Sequence, residues 1–160
     1  MMTEWRLIGC EDTEPLHYNW CGFDDIYLLS GYQRIPTEEG DDIVIQNLDG
    51  LHRAIGEYLA STKKTLNGKE VRFLRHEMDL SEKELGKILR VTDQIVARWE
   101  KGEVVMQGPE ELLLRITYLA FLRGAVDPRV IAERLVDVDD CPTAKKFFVE
   151  TEDGNWRKAA

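Results

Sequence analysis

Nowhere in the 160 residues does an apolar run approach the roughly 18 needed to cross a bilayer, so no transmembrane helix is predicted. The N-terminus, MMTEWRLIGCEDTE, lacks a basic flank and an apolar stretch, so no secretory signal is predicted. Cysteine is scarce: three residues, Cys10, Cys21 and Cys141, odd in number and far apart. That pattern fits reduced thiols in a cytoplasmic protein better than a disulfide framework. Cys10 and Cys21 also lack zinc-knuckle spacing. His17 lies between them; the alternative to a partial zinc site is a set of small buried or loop residues, and no metal is assigned. Positive charge is short as well: 21 Lys+Arg stand against 30 Asp+Glu, net −9. Taken whole, that balance argues against nucleic acid, because phosphate contacts dominate non-specific affinity.

Catalytic patterns are missing too. There is no P-loop and no H-E-x-x-H. Ser30, Ser61 and Ser81 have no nucleophile-elbow context. His52 and His76 read as surface or satisfied helix residues. The paired carboxylates Asp24-Asp25 and Asp41-Asp42 can take a hard cation or serve as solvated turns. No nucleophile–base set is spaced for catalysis, so an enzyme is not expected and neither is a cofactor.

What remains is enough apolar sequence, 43%, to build real cores. The charge is uneven. Residues 1–66 are net −7, residues 67–102 net +1, and residues 103–160 net −3. The first segment reads as α+β. FDDIYLLSGYQRI predicts a strand near Ile26–Leu29, and DDIVIQN one near Ile43–Gln46, with PTEEGDD as the loop between. LDGLHRAIGEYLAST has apolar residues at Leu51, Ala54, Ile55, Tyr58 and Leu59, the spacing of a helix capped by Asp49. KKTLNG reads as a polar linker at a domain boundary.

QGPEELLLRITYLAFLRG predicts a helix with Pro109 in its first turn and Gly124 as its stop. It is apolar on more than one face, which points to a dimer interface as well as a core. DPRVIAERLVDV predicts a short helix capped by Asp127, and KKFFVETEDGNWRKAA a hairpin turning at Asp153-Gly154. The expected layout is an N-terminal α+β domain (1–66), an all-α domain (67–124) and a C-terminal helix plus hairpin (125–160).

The informative stretch runs from Gly68 to Gly102. A first helix over about Glu70–Met78 presents Val71, Leu74 and Met78 on one face. Asp79 stands where a helix end needs a residue tolerant of left-handed backbone. Ser81 and Glu84 form a capping box, and Leu85, Ile88 and Leu89 give the second helix a buried face. Gly86 is small where close backbone approach is needed. Thr92 caps a third helix, in which Val96 and Trp99 face inward while Asp93, Gln94, Ala97 and Arg98 face out. Two short helices around a tight turn, the second with a polar outer face, form a helix-turn-helix.

This run, LSEKELGKILRVTDQIVARWEKG, resembles the Xre/Cro-type, lambda-repressor-like helix-turn-helix family. Within it the look is to the DNA-binding half of MqsA-type antitoxins, with an N-terminal domain that has lost the zinc-ribbon cysteine pairs. The resemblance implies a dimeric DNA-binding regulator, a repressor, bound to double-stranded DNA at two half-sites. It implies base contacts from Asp93, Gln94, Ala97 and Arg98. Gln suits adenine, Arg suits guanine, Ala reaches only a thymine methyl, and Asp can accept from cytosine. Thr92 matches a phosphate contact at the helix start, and Lys101, Lys83 and Lys87 further ones. Three positions depart from the family pattern: Glu82, where Gln is common; Arg90, where the left-handed turn residue is usually Gly; and Asp93, where a neutral or basic residue is common. The alternative role is that of an antitoxin, binding a basic toxin through the acidic flanks and regulating its own operon.

Overall fold

A computed structural model describes residues 15–124, 127, 129, 135 and 145–159. Cys10, Cys141 and most of the segment predicted as a short helix after Asp127 lie outside the described residues. The Asp127 carboxylate does accept from the Arg129 N–H at 2.9 Å, the local bond a cap would make.

The described residues are mixed α and β, and they divide into two compact units. The first unit comprises the described parts of Met1–Trp20, Asp24–Ile55 and Ala144–Ala160. It holds strands β1 (Leu16–Tyr18), β2 (Ile26–Leu28), β3 (Tyr32–Thr37), β4 (Gly40–Ile45), β5 (Lys146–Glu150) and β6 (Trp156–Lys158). They form a four-stranded sheet, β1-β2-β5-β6, and a separate β3-β4 hairpin.

The strand predicted near Ile26–Leu29 is β2, with Ile26 and Leu28 fully buried. The segment 36–42 is not the open loop predicted for it. Register pairs Pro36 with Asp41 and Thr37 with Gly40, so the strands run to a tip at Glu38-Glu39. Pro36 fits there because a two-stranded ribbon is all edge and can spare a ladder N–H.

The C-terminal hairpin turns at Gly154 (φ +79°), as predicted, but it is no separate extension. β5 lies parallel beside β2, Tyr27 opposite Phe147. Buried Lys146 pairs with Asp25, Ser30 Oγ accepts from Glu150 N–H at 3.0 Å, and Trp156 Nε1 donates to Gln46 O at 2.9 Å. These bonds satisfy groups that a two-strand fragment would leave to water.

Helix α1 (Leu48–Ser61) begins in the first unit and ends in the second. Its start corrects the predicted cap: Asn47 Oδ1, not Asp49, accepts from Gly50 N–H at 3.2 Å. Asn47 sits at φ +48°, a conformation Asn tolerates better than most residues.

The second unit comprises Cys21–Phe23 and the described parts of Gly56–Thr143. It carries α2 (Gly68–Glu77), α3 (Glu82–Leu89), α4 (Asp93–Glu100) and α5 (Gly108–Arg123). Its core includes Leu59, Leu66, Val71, Leu74, Leu85, Val96, Trp99, Leu114, Tyr118 and Leu119. The KKTLNG stretch is not a free linker. Lys63 is buried and pairs with Glu70. Arg115 is fully buried. It donates to Leu59 O (2.8 Å) and Lys64 O (2.9 Å) and pairs with Glu111 at 2.7 Å. A cation at the carbonyl end of α1 also complements the helix dipole.

Replacing Arg115 by Met leaves those carbonyls and Glu111 Oε1 without their donor, while Glu111 Oε2 keeps the Leu66 N–H at 3.2 Å. Unfolding in urea should show a loss of about 3 kcal/mol for Arg115→Met. A loss below about 1 kcal/mol would mean that the guanidinium is replaceable packing.

Candidate nucleic-acid interface

Helices α2, α3 and α4 share one way of starting and one way of stopping. Each starts with a side-chain cap. Asn67 accepts from Glu70 N–H, Ser81 from Glu84 N–H, and Thr92 from Ile95 N–H. The boxes at Asn67 and Ser81 are closed by Glu70 and Glu84. The backbone N–H and hydroxyl of Ser81 hold the exposed Glu84 carboxyl below the usual range.

Each helix then stops at a left-handed residue: Asp79 (φ +55°), Arg90 (φ +62°) and Gly102 (φ +75°). The next residue's N–H returns to a carbonyl five positions back. Leu80 bonds Arg75 O, Val91 bonds Gly86 O, and Glu103 bonds Arg98 O. This closure satisfies orphan carbonyls and fixes the direction in which the chain leaves the helix.

The α3–α4 turn, Arg90 to Thr92, is held tightly. A Cβ on Gly86 would lie 2.7 Å from Val91 O, so glycine is required by the turn backbone rather than by a crossing helix. Leu85 and Leu89 are buried as predicted, but Ile88 is 39% exposed and corrects the three-residue face assigned to α3.

Helix α4 is fixed from behind. Val96 and Trp99 are buried. Arg75 of α2 donates Nε to Glu100 Oε1 at 2.5 Å, Nη2 to Glu100 Oε2 at 3.0 Å, and Nη1 to Leu80 O at 2.9 Å. That bidentate pair is mostly buried, and the Glu100 bond raises the Arg75 pKa further above its ordinary value. The start of α2 also abuts the end of α4. A Cβ on Gly68 would collide with Trp99 O and lie 2.7 Å from Glu100 O.

The predicted contact residues are displayed to solvent. Thr92, Asp93, Gln94, Arg98 and Lys101 are exposed and Ala97 is half-buried. Gln94, Ala97, Arg98 and Lys101 fall at helical positions i, i+3, i+4 and i+7, one stripe along α4. Lys83 and Lys87 are exposed one turn apart on α3. Asp93 is occupied locally, since its Oδ1 accepts from Gln94 N–H at 2.9 Å at the start of α4. A carboxylate there is favoured by the helix dipole whatever else it contacts.

Two partners escaped the sequence reading. Glu100 belongs to Arg75, a pair made across 25 residues that no local pattern signals. Glu103 lies 3.5 Å from Arg98. The W-E-K-G-E order was the available signal: a Gly stop sends the next residue back to the carbonyl of the third-last helical position.

Away from this unit, Tyr18 Oη and His52 Nε2 share a hydrogen bond at 2.6 Å. Among the described residues no three His, Cys, Asp or Glu side chains gather as metal ligands. None of the described helices is long and apolar enough to cross a membrane. No family model, curated protein or solved structure matches the chain.

Arg90 is the test of the turn. A non-glycine residue held left-handed costs about 1 kcal/mol. Arg90→Gly should therefore raise the unfolding free energy by roughly 0.5–1 kcal/mol, measured by thermal or urea unfolding. A loss of stability would mean that the Arg90 side chain contributes more than its backbone costs.

Proposed function

We propose that residues 67–124 are a DNA-binding helix-turn-helix of the Xre/Cro type and that the chain is a sequence-specific transcriptional regulator acting as a dimer, most simply a repressor. One observation carries the reading. The stripe Gln94–Ala97–Arg98–Lys101 faces solvent on a capped helix whose opposite side is packed by Trp99 and tied by Arg75–Glu100. A helix of this kind enters the major groove with its N-terminal residues toward base edges. Gln94 suits adenine and Arg98 guanine, while Lys101, Lys83, Lys87 and Thr92 suit phosphates. The α5 surface supports a two-fold partner. Leu113 and Phe121 are exposed, and with Ile116 and Ala120 they make an apolar stripe at helical spacing.

The electrostatics fit a binder that depends on base contacts. The segment 67–102 is only net +1, so nearby carboxylates offset its lysine–phosphate contacts and non-specific affinity is low. Specific binding then rests on Arg98, Gln94 and the second half-site. Selection from a random DNA pool, followed by gel shift, should yield a two-fold symmetric site. Arg98→Ala should cost about 1–3 kcal/mol and relax one base, whereas Lys101→Ala should weaken all sequences alike. Failure of the folded protein to retain any duplex at about 50 mM salt, where phosphate contacts are strongest, would sink the reading.

A second reading, an antitoxin that neutralises a basic partner protein, is favoured by one feature of the first unit. The β3–β4 tip carries Glu38, Glu39, Asp41 and Asp42, all exposed, next to exposed Ile35 and Val44. An acidic rim around apolar side chains complements a basic protein surface and repels DNA. The two readings are compatible. If the second holds, the chain should co-purify with the product of a neighbouring small basic reading frame, and Glu38→Lys with Glu39→Lys should weaken that complex. Unchanged binding by the double variant would remove the hairpin from the interface.

A further inference from the structure

We propose that Glu103 is a specificity-determining residue: its carboxylate holds the Arg98 guanidinium in the free protein and withholds it from non-cognate phosphates. The inference rests on the DNA-binding reading above.

The pair is built by the backbone. Gly102, left-handed at φ +75°, donates its N–H to Trp99 O at 3.0 Å, and Glu103 donates its N–H to Arg98 O at 3.0 Å. The residue that carries the carboxylate is thus bonded to the main chain of the residue that carries the guanidinium. Glu103 Oε2 lies 3.5 Å from Arg98 Nε, and both side chains are half exposed, 54% and 53%. Glu100, nearer in sequence, is committed to Arg75. Glu103 is therefore the carboxylate beside Arg98 at the open end of the stripe.

An exposed pair of this kind is weak, so it cannot block a strong competitor. Its effect is selective. Exchanging Glu103 for a lone phosphate replaces one anion with another and gains little. Guanine needs no exchange: Glu103 sits at Nε, which leaves the two Nη groups free to make directed bonds to O6 and N7 with the pair intact. Glu103 therefore subtracts from non-specific binding more than from specific binding, which matters for a protein that competes with a large excess of random duplex.

The test compares wild type, Glu103→Gln, Arg98→Ala and the double variant on two duplexes, the selected site and a scrambled sequence of equal length. Glu103→Gln should raise affinity for the scrambled duplex about two- to five-fold, the range expected for an exposed pair. It should change the selected site less, so the ratio of specific to non-specific affinity falls. The salt dependence on scrambled DNA should steepen, since one more cation is available to phosphate. In the Arg98→Ala background the Glu103→Gln gain should vanish. A gain that persists in that background would show simple repulsion between Glu103 and DNA and would overturn the proposal. So would a Glu103→Gln variant that weakens both duplexes, the signature of a purely structural role. If wild type and variants retain neither duplex, the DNA-binding reading itself fails and this proposal fails with it.

Discussion

The bidentate bond between Arg75 and Glu100 is the contact on which the α2–α4 arrangement turns. One guanidinium reaches the carboxylate of α4 with two nitrogens and the carbonyl of Leu80 with a third. It therefore fixes α4 relative to α2 and fixes the α2–α3 turn at the same time. Hydrophobic packing of Val96 and Trp99 pulls α4 inward but leaves it free to rotate and slide by small amounts. A planar fork against a carboxylate removes that freedom, because both bonds are lost together when the geometry shifts. Base readout needs side chains placed to a fraction of an ångström. A mostly buried ion pair adds little net stability but specifies one arrangement, and specification is what the proposed reading role of α4 requires.

The same division between stability and direction explains the helix ends. Caps at Asn67, Ser81 and Thr92 satisfy the first N–H groups. Left-handed residues at 79, 90 and 102 satisfy the last carbonyls and turn the chain at a set angle. Three helices of ten, eight and eight residues are too short to be stable alone. They persist because each end is closed and each inner face is packed. Arg90 shows that the turn matters more than local comfort, since a residue with a Cβ is held where glycine is preferred.

The sequence was legible where the determinants are local. The Ser81 and Thr92 caps, the left-handed backbone at Asp79, the buried Val96 and Trp99, and the exposed stripe of α4 all follow from spacing within one or two turns, whereas the left-handed place of Arg90 rests on the family resemblance. β2, the C-terminal turn at Gly154 and the extent of α5 are also local. What could not be read is what depends on distant pairing. β5 joins β2 only because the fold returns the C-terminus to that sheet, and no residue in KKFFVE encodes its neighbour. Lys63 looked like a solvated linker charge because its partner, Glu70, is buried only once the surrounding helices close. Arg115 carries no local signal of its role, since the α1 carbonyl to which it donates, Leu59 O, is 56 positions away in the chain. Ile88 failed in the other direction: apolar residues at three-residue spacing do not say how wide the buried stripe is.

The charge distribution ties these points to function. A net −9 chain has no general attraction to DNA. Its acidic excess lies mostly before residue 67, and four of those carboxylates sit on the β3–β4 tip. Low non-specific affinity is an advantage for a reader that must find one site among many, because every weak stop on random DNA removes protein from the search. It also sets a demand. Under the proposed DNA-binding role, affinity not supplied by phosphates comes from base edges and from a second copy, which requires a rigid reading helix and an arginine uncommitted to random backbone. The clamp behind α4 meets the first condition. A carboxylate placed at its exit meets the second, and both devices act at the C-terminal end of the same short helix, on different sides of its surface.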